Sequence, residues 1–438
     1  MDFSESLKYL LNLGNEVLAM KLGLENIGKL LDALGNPEKN FLKVQVAGTN
    51  GKGSTCAFLD SICVSAGIKT GLYTSPHLVS ITERIKINGE EISEEDFARH
   101  ATKVREISEK LLSDGKLETL PTFFEQVTAI AISAFDETKI ELAILETGLG
   151  GRFDATTATN AEIVAITPID FDHQDILGNT LKEIAAEKAA IIRTDTKVIV
   201  APQKKDVERV ISGKCREVSV EPIRVSATLQ VHRAMDDWGI FPSPVDDTLI
   251  VNKKVYSHFS LKLLGKHQYD NAALAIVIAE SLNEFGFKVT DRDIKRGLET
   301  AEHKGRLEFY KGILFDGAHN VGGAKALRNY LDEFIKQPIT MVFGAMRDKD
   351  LQEISEILFP KATFLIFTKP DNPRSMETAE LVNFLPTDFD KENVFRCETV
   401  EEALLLAGDC SVSGITCVTG SLYLVGEAQK LLNNKSEI

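Results

Sequence analysis

Apolar residues recur along this chain in two alternating periods. From residue 5 to residue 34, Leu, Ile and Met fall at helical spacing, interrupted at Gly14, Gly28 and Gly35. A short apolar run, Val44 to Ala47, then enters a glycine-rich turn, and a helix is predicted from about Gly53 to Ala66. Thr70 to Tyr73 predicts a strand that ends in Thr74-Ser75-Pro76-His77. Ile81 to Ile87, Asn88-Gly89 and Ile92 predict a hairpin, because Asn-Gly accepts the positive φ values of a primed turn. Ser93-Glu94-Glu95-Asp96 has the form of a capping box that opens a helix to about Leu112. Thr122 to Phe135 predicts an apolar helix, and Ile140 to Leu145 a buried strand ending at Glu146. Ile163 to Ile169 and Val198 to Val200 predict two more strands, with a helix capped by Thr180 and Glu183 between them.

Strands of continuous apolar character that alternate with helices imply a parallel, doubly wound sheet covered on both faces. From 219 to 264 the pattern is β-rich and irregular, as hairpins at a domain edge would be. Gln268 to Phe285 and Asp291 to Thr300 predict helices. After Gly305-Arg306 the alternation restarts. Strands are predicted at Ile313 to Phe315, Thr340 to Phe343, Thr363 to Phe367, Val394 to Arg396 and Ile415 to Val418, each with a helical segment behind it. The chain has 438 residues, more than one core usually serves. The expected organisation is therefore two α/β units, 1–300 and 301–438, with Glu302 to Arg306 as the linker.

Composition adds exclusions. With 43% hydrophobic and 26% charged residues, the chain has the make-up of a soluble globular protein. A net charge of −15 without a basic footprint argues against nucleic acid. The amphipathic, acid-bearing stretch from Met1 to Leu22 fits neither a signal nor a transit peptide, and no apolar stretch approaches the ~20 residues of a membrane span. Six cysteines without C-x-x-C spacing are expected to be free thiols of a cytoplasmic protein.

In open α/β sheets, ligands bind beyond the carboxyl ends of strands. Three polar clusters fall at such ends. The first, Gly48-Thr49-Asn50-Gly51-Lys52-Gly53-Ser54-Thr55, has the chemistry of a phosphate cradle: glycines that admit close backbone approach, a helix N-terminus, a lysine and hydroxyls. It departs from the standard G-x-x-x-x-G-K-[ST] spacing, with Val46 in place of Gly and Gly53 in place of Ser or Thr. It is thus either a variant phosphate loop or an ordinary β–α turn. The second and third are Glu146 and His173, which with Ser54 suit a divalent cation. The competing roles are a carboxylate capping its own turn for Glu146, and a satisfied polar side chain for His173. Lys188 beside Glu187 has the form of a surface ion pair. Asp316-Gly317-Ala318-His319-Asn320 again follows a strand; Asn271 opens a helix, and Arg306 sits in the linker.

Ten segments in order over 48–422 resemble one family. They are Gly48 to Ser54, Thr74 to Leu78, Thr122 to Glu125, Glu146 to Asp154, Asp172-His173, Glu187 to Ala189, His267 to Ala272, Gly305-Arg306, Asp316 to Asn320 and Gly420 to Leu422. The chain resembles the folylpolyglutamate synthase and dihydrofolate synthase family of Mur-type, ATP-dependent amide ligases. That resemblance implies an N-terminal P-loop-type ATPase domain with a mainly parallel sheet, and a smaller C-terminal Rossmann-like α/β domain.

It also implies roles. ATP would lie on Thr49, Asn50, Gly51, Lys52, Gly53, Ser54 and Thr55, with Asn271, Arg306 and Asp316. Two Mg²⁺ would be held by Ser54, Glu146, His173 and a carbamylated Lys188. Lys52, Lys188 and His319 would be the catalytic residues. Ser75, Pro76, His77, Phe124, Arg152 and Asp154 would meet the folate or dihydropteroate. Three positions depart from the family pattern: Thr157 for Asn, Ala190 for Gly and Lys304 for Pro. The expected enzyme is a cytoplasmic monomer. It adds L-glutamate to folates, and to dihydropteroate, through an acyl phosphate, with only small-molecule partners and neither nucleic acid nor membrane. A Mur-type ligase with another carboxylate acceptor and a nucleotide-dependent switch are the competing expectations.

Overall fold

The computed structural model describes residues 1–14, 23–230, 247–411 and 414–434. Parts of two sequence expectations, 15–22 of the first helical region and 231–246 of the β-rich region, lie outside the described residues.

The larger sheet has eight strands. In spatial order they are Glu90–Glu91, Ile85–Ile87, Thr70–Tyr73, Leu142–Glu146, Leu42–Ala47, Ile163–Ile166, Lys197–Val200 and Ile223–Arg224. The six from Thr70 onward run parallel, and the two at the other edge form an antiparallel hairpin. Its turn residues Asn88 and Gly89 have φ of 54° and 87°, as a primed turn requires. The hairpin is shorter than the apolar run suggested. Ile81–Arg84 is a 3₁₀ turn, because Glu83 accepts hydrogen bonds from the backbone of Leu78, Val79 and Ser80 and closes a capping box there.

Leu42–Ala47 lies between Leu142–Glu146 and Ile163–Ile166, with Val46 opposite Glu146 and Ala47 opposite Ile166. The chain leaves this strand towards one side of the sheet and returns on the other, so its carboxyl end is a topological switch point. The helix Lys52–Ser65 that follows is buried on almost every side, with Phe58, Leu59 and Ile62 fully enclosed. It packs against Asp291–Thr300 so closely that Gly297 lies over the Ile62 backbone. His267–Ser281, equally apolar, covers it from another side and ends in a 3₁₀ turn, Leu282–Phe285, before Gly286 at φ 92°.

A three-stranded antiparallel sheet, Ala227–Gln230, Asp247–Val251 and Lys254–Phe259, forms the β-rich edge. The second large sheet has six strands in the order Glu308–Tyr310, Ile313–Asp316, Ile415–Thr419, Ile339–Phe343, Phe364–Phe367 and Val394–Arg396. All but the first pair are parallel. Both large sheets are α/β layers with apolar clusters on each face. Lys304, where the family pattern has Pro, is a surface residue paired with Glu91 at 3.1 Å.

A Cβ on Gly297 would lie 2.4 Å from Ile62 Cα. Gly297→Ala should therefore push the two helices apart and lower stability by about 1–3 kcal/mol, despite alanine's better helix propensity. A lower urea midpoint would report this.

Candidate active site

The loop after Leu42–Ala47 is glycine-rich because neighbours leave no room for a side chain. A Cβ on Gly48 would sit 1.8 Å from Thr167 Oγ1, and one on Gly51 would sit 2.1 Å from Asn271 Oδ1. Both glycines also hold positive φ, 149° and 88°. Gly51 caps the following helix without a side-chain acceptor, so the first-turn N–H groups stay open to a ligand. Lys52 Nζ donates to Thr49 O at 3.2 Å, and Thr49 Oγ1 donates to Asp170 O at 3.0 Å. Ser54 is buried beside the loop, whereas Thr55 turns its hydroxyl into the protein interior.

Because neighbouring strands are parallel and in register, their carboxyl ends deliver polar groups to the same edge. Glu146 is 5% exposed and accepts from the Ser75 backbone N–H at 3.2 Å. Burial raises its carboxyl, and the Lys52 ammonium opposes that rise. His173 adopts a left-handed conformation, φ 49°, at the start of a short helical turn. Burial holds its imidazole down to about 4.

Lys188 is not the surface ion pair that its neighbour suggested. It is 4% exposed, and Nζ donates to Gly48 O at 2.8 Å. Adjacent helical residues face different directions, so Glu187 reaches outward instead and pairs with Arg152 at 2.9 Å. Burial and the nearby Lys52 charge bring the Lys188 ammonium down to about 7.

The second sheet closes the other wall. Asp316 accepts from the N–H groups of Leu307 and Ala318 at 2.9 and 3.0 Å, and burial pushes its carboxyl up to about 6. His319 Nδ1 donates to Gly317 O at 2.7 Å, which leaves Nε2 facing Asp172 at 4.0 Å. Asn320 donates to Asn50 at 3.0 Å and to Asp172 at 3.2 Å, and caps the helix Val321–Phe334. That helix begins against the phosphate loop: a Cβ on Gly322 would lie 2.5 Å from Asn50 Nδ2.

Lys349 completes the contact, 2.8 Å from Asp172, with both side chains under 10% exposed (8% and 9%). Burial alone would raise the Asp172 carboxyl. Lys349, with His173 and His319 behind it, holds it well below the usual carboxylate range.

These walls enclose a cavity of about 460 Å³. Lining it are Gly48 to Ser54, Ser75, Pro76, Phe124, Glu146, His173, Lys188, Asn271, Arg306, Asp316 and His319, all of them anticipated from the sequence. Thr55, His77, Arg152 and Asp154 do not line it. His77 Nδ1 accepts from Arg84 Nε at 2.8 Å, and burial holds its ring down to about 3. Asp154 lies beneath the 148–154 loop and accepts from the backbone of Gly148, Leu149 and Thr156 at 2.8–3.0 Å, so it shapes the loop from below. Thr157, where the family pattern has Asn, donates to Gly151 O at 2.7 Å and steadies the same loop.

Several lining residues escaped sequence reasoning: Gln268, His303, Lys349, Arg374 and Tyr423. Lys349 and Arg374 follow the strands Ile339–Phe343 and Phe364–Phe367, so the strand-end rule would have found them. His303 carried no signal, lying in a segment read as linker.

Among the described residues no group of three or more His, Cys, Asp or Glu side chains is set to hold a metal ion. The donors anticipated from the sequence are Ser54, Glu146 and His173. This set is too sparse for a cation held by protein alone and suits one shared with phosphate oxygens.

Removing Lys349 would leave Asp172 buried and unpaired. Lys349→Met should cost about 3–5 kcal/mol, and the double variant Lys349→Met/Asp172→Asn should recover most of it. Because the folded carboxyl titrates below its unfolded value, the pair's contribution is present above the ordinary carboxylate range and fades as pH falls through the folded value. Urea unfolding of the three proteins at neutral and acid pH measures both effects.

Two family models match the chain: the Mur ligase middle domain over 46–279 and the Mur ligase, glutamate ligase domain over 305–422. The chain is 34% identical to the dihydrofolate synthase/folylpolyglutamate synthase of Bacillus subtilis, over 96% of this chain and 97% of that one. Its structure is similar to that of Mycobacterium tuberculosis folylpolyglutamate synthase complexed with ADP, with a TM-score of 0.87, 29% identity, and 98% and 99% of the two chains covered. It is also similar to the bifunctional folylpolyglutamate synthase/dihydrofolate synthase of Yersinia pestis complexed with AMPPNP and Mn ion, with a TM-score of 0.83, 26% identity, and 99% and 98% covered. Fold, site and relatives agree, and the chain belongs to the folylpolyglutamate synthase/dihydrofolate synthase family of the Mur ligases, which are ATP-dependent amide ligases.

Proposed function

We propose that this chain uses ATP to join the α-amine of L-glutamate to a pteroyl carboxylate, that of dihydropteroate as well as that of a reduced folate. One observation carries the reading. One cavity is lined by the glycine-rich loop 48–54, by the cationic side chains of Arg306, Lys349 and Arg374, and by the aromatic ring of Phe124.

The loop N–H groups and Lys52 bind and orient the triphosphate, while Asn271, Gln268 and Arg306 stand at the nucleotide side. Ser54 and Glu146 would hold one Mg²⁺, and Glu146, His173 and a carbamylated Lys188 a second. When bound, these ions neutralise phosphate charge. Phe124 and the Ser75-Pro76 turn offer the pteridine ring a flat, largely apolar wall. Arg374 faces the same space and suits a carboxylate of glutamate.

In the first step the substrate carboxylate attacks the γ-phosphorus. The bond to the ADP oxygen breaks, and an acyl phosphate forms. In the second, the glutamate amine attacks the acyl carbon and loses a proton; phosphate leaves and the amide remains. The acyl phosphate must be kept from water. The Asp172–Lys349 pair and the Asn320 contacts, which hold the second sheet over the loop, serve that exclusion. The division into units 1–300 and 301–438 goes with this reading, since the loop and the covering wall come from opposite sides of that boundary. Six free cysteines, four of them buried, fit a reducing, cytoplasmic setting.

Release of ADP with dihydropteroate or tetrahydrofolate, each with and without glutamate, tests the reaction. Turnover should require both the pteridine and the amino acid. Glutamate-independent hydrolysis, or turnover only with another carboxylate acceptor, would overturn the reading.

Carbamylation needs a neutral amine, and Lys188 reaches that state near pH 7. Its amine adds to CO₂ and releases a proton, so the carbamate should grow as pH rises through about 7. ¹³C NMR of protein equilibrated with labelled bicarbonate should show this, and Lys188→Arg should show no such signal. The same depressed pKa makes stability rise with pH between about 7 and the ordinary 10.5, because the unfolded chain binds the proton that the folded one releases.

A further inference from the structure

His303 has no role in the account so far, yet it stands at the centre of the loop. It lies between the helix Asp291–Thr300 and Gly305, where the chain crosses to the second sheet. Its Nδ1 is 3.3 Å from Ser54 Oγ. Its ring rests directly on Gly53: a Cβ there would meet His303 Cε1 at 2.5 Å and Nε2 at 3.0 Å. Glu146 Oε2 lies 3.3 Å from the same point. A hydroxyl, a carboxylate and an imidazole thus converge within a few ångströms, at the mouth of the phosphate loop. The loop's departure from standard spacing also finds a local cause. The side chain of Ser or Thr at position 53 would occupy the space of the imidazole, so the hydroxyl comes from position 54.

Mg²⁺ prefers oxygen ligands, whereas imidazole favours later divalent ions in the order Mn²⁺, Co²⁺, Ni²⁺. We infer that His303 is a third protein ligand of the cation held at Ser54 and Glu146, and that it biases this site towards imidazole-binding divalent ions over Mg²⁺. The inference rests on the reading of Ser54 and Glu146 as a cation site. Because His303 belongs to the crossing segment, a cation bound there also ties that segment to the phosphate loop.

The experiment is calorimetric titration of the full chain, with ADP in excess, by Mg²⁺, Mn²⁺ and Ni²⁺. It compares the wild type with His303→Phe, His303→Gln and His173→Gln. The expected result is that both His303 variants lose at least about tenfold of the Ni²⁺-over-Mg²⁺ preference at the Ser54–Glu146 site, whereas His173→Gln, which removes only the imidazole of the second site, leaves that preference in place. In Mn²⁺-loaded protein, pulsed electron paramagnetic resonance should show ¹⁴N modulation from bound imidazole in His173→Gln, and none in the double variant His173→Gln/His303→Gln. An unchanged preference in both His303 variants, or modulation that vanishes with His173→Gln alone, would overturn this inference and leave the ligase reading intact. Failure of the wild type to bind any divalent ion with ADP would instead remove the cation site itself. Retained ADP affinity in the variants shows that the loop is still folded.

Discussion

The site depends on parallel register. Leu42–Ala47 is hydrogen-bonded on both sides, so its carboxyl end cannot move without its neighbours. The groups that end those strands share its edge: the glycine loop at 48, Glu146, and the 167–173 segment. Everything else at the site is fitted to that edge. The tightness is visible in what the loop excludes, since Gly48 and Gly51 would clash with Thr167 and Asn271 if either carried a side chain.

The second sheet meets this edge through a small number of polar contacts. Asp172 is the common acceptor for Lys349 and Asn320, with His319 nearby. A buried acidic group with several positive or donating neighbours gives such a contact directionality, which apolar packing alone lacks. The same arrangement suits an enzyme that must shield an activated acyl group and later release its product.

Much of this was legible in the residues. Apolar runs bounded by glycine and polar clusters locate most of the parallel strands, and the strand-end rule picks out Ser54, Glu146, His173 and His319 without coordinates. The resemblance, not that rule, added His77 and Asp154, whose polar atoms are taken up by Arg84 and by loop backbone. The rule itself misses residues that reach the edge from elsewhere, as His303 does. Lys188 shows the limit of local pairing: beside Glu187 it resembles half of a surface ion pair, but helix rotation turns it inward and Glu187 outward.

By itself the sequence determined the α/β class, the alternation of elements, the glycine loop and the family, because these rest on local periodicity and on residue types at fixed spacing. Only the tertiary structure decided which polar side chains face the cavity, that Lys349 closes on Asp172 across 177 residues, and that His303 sits on Gly53. The physical reason is that facing and proximity arise from how whole elements pack. No pattern along one segment encodes the rotation of that segment against another.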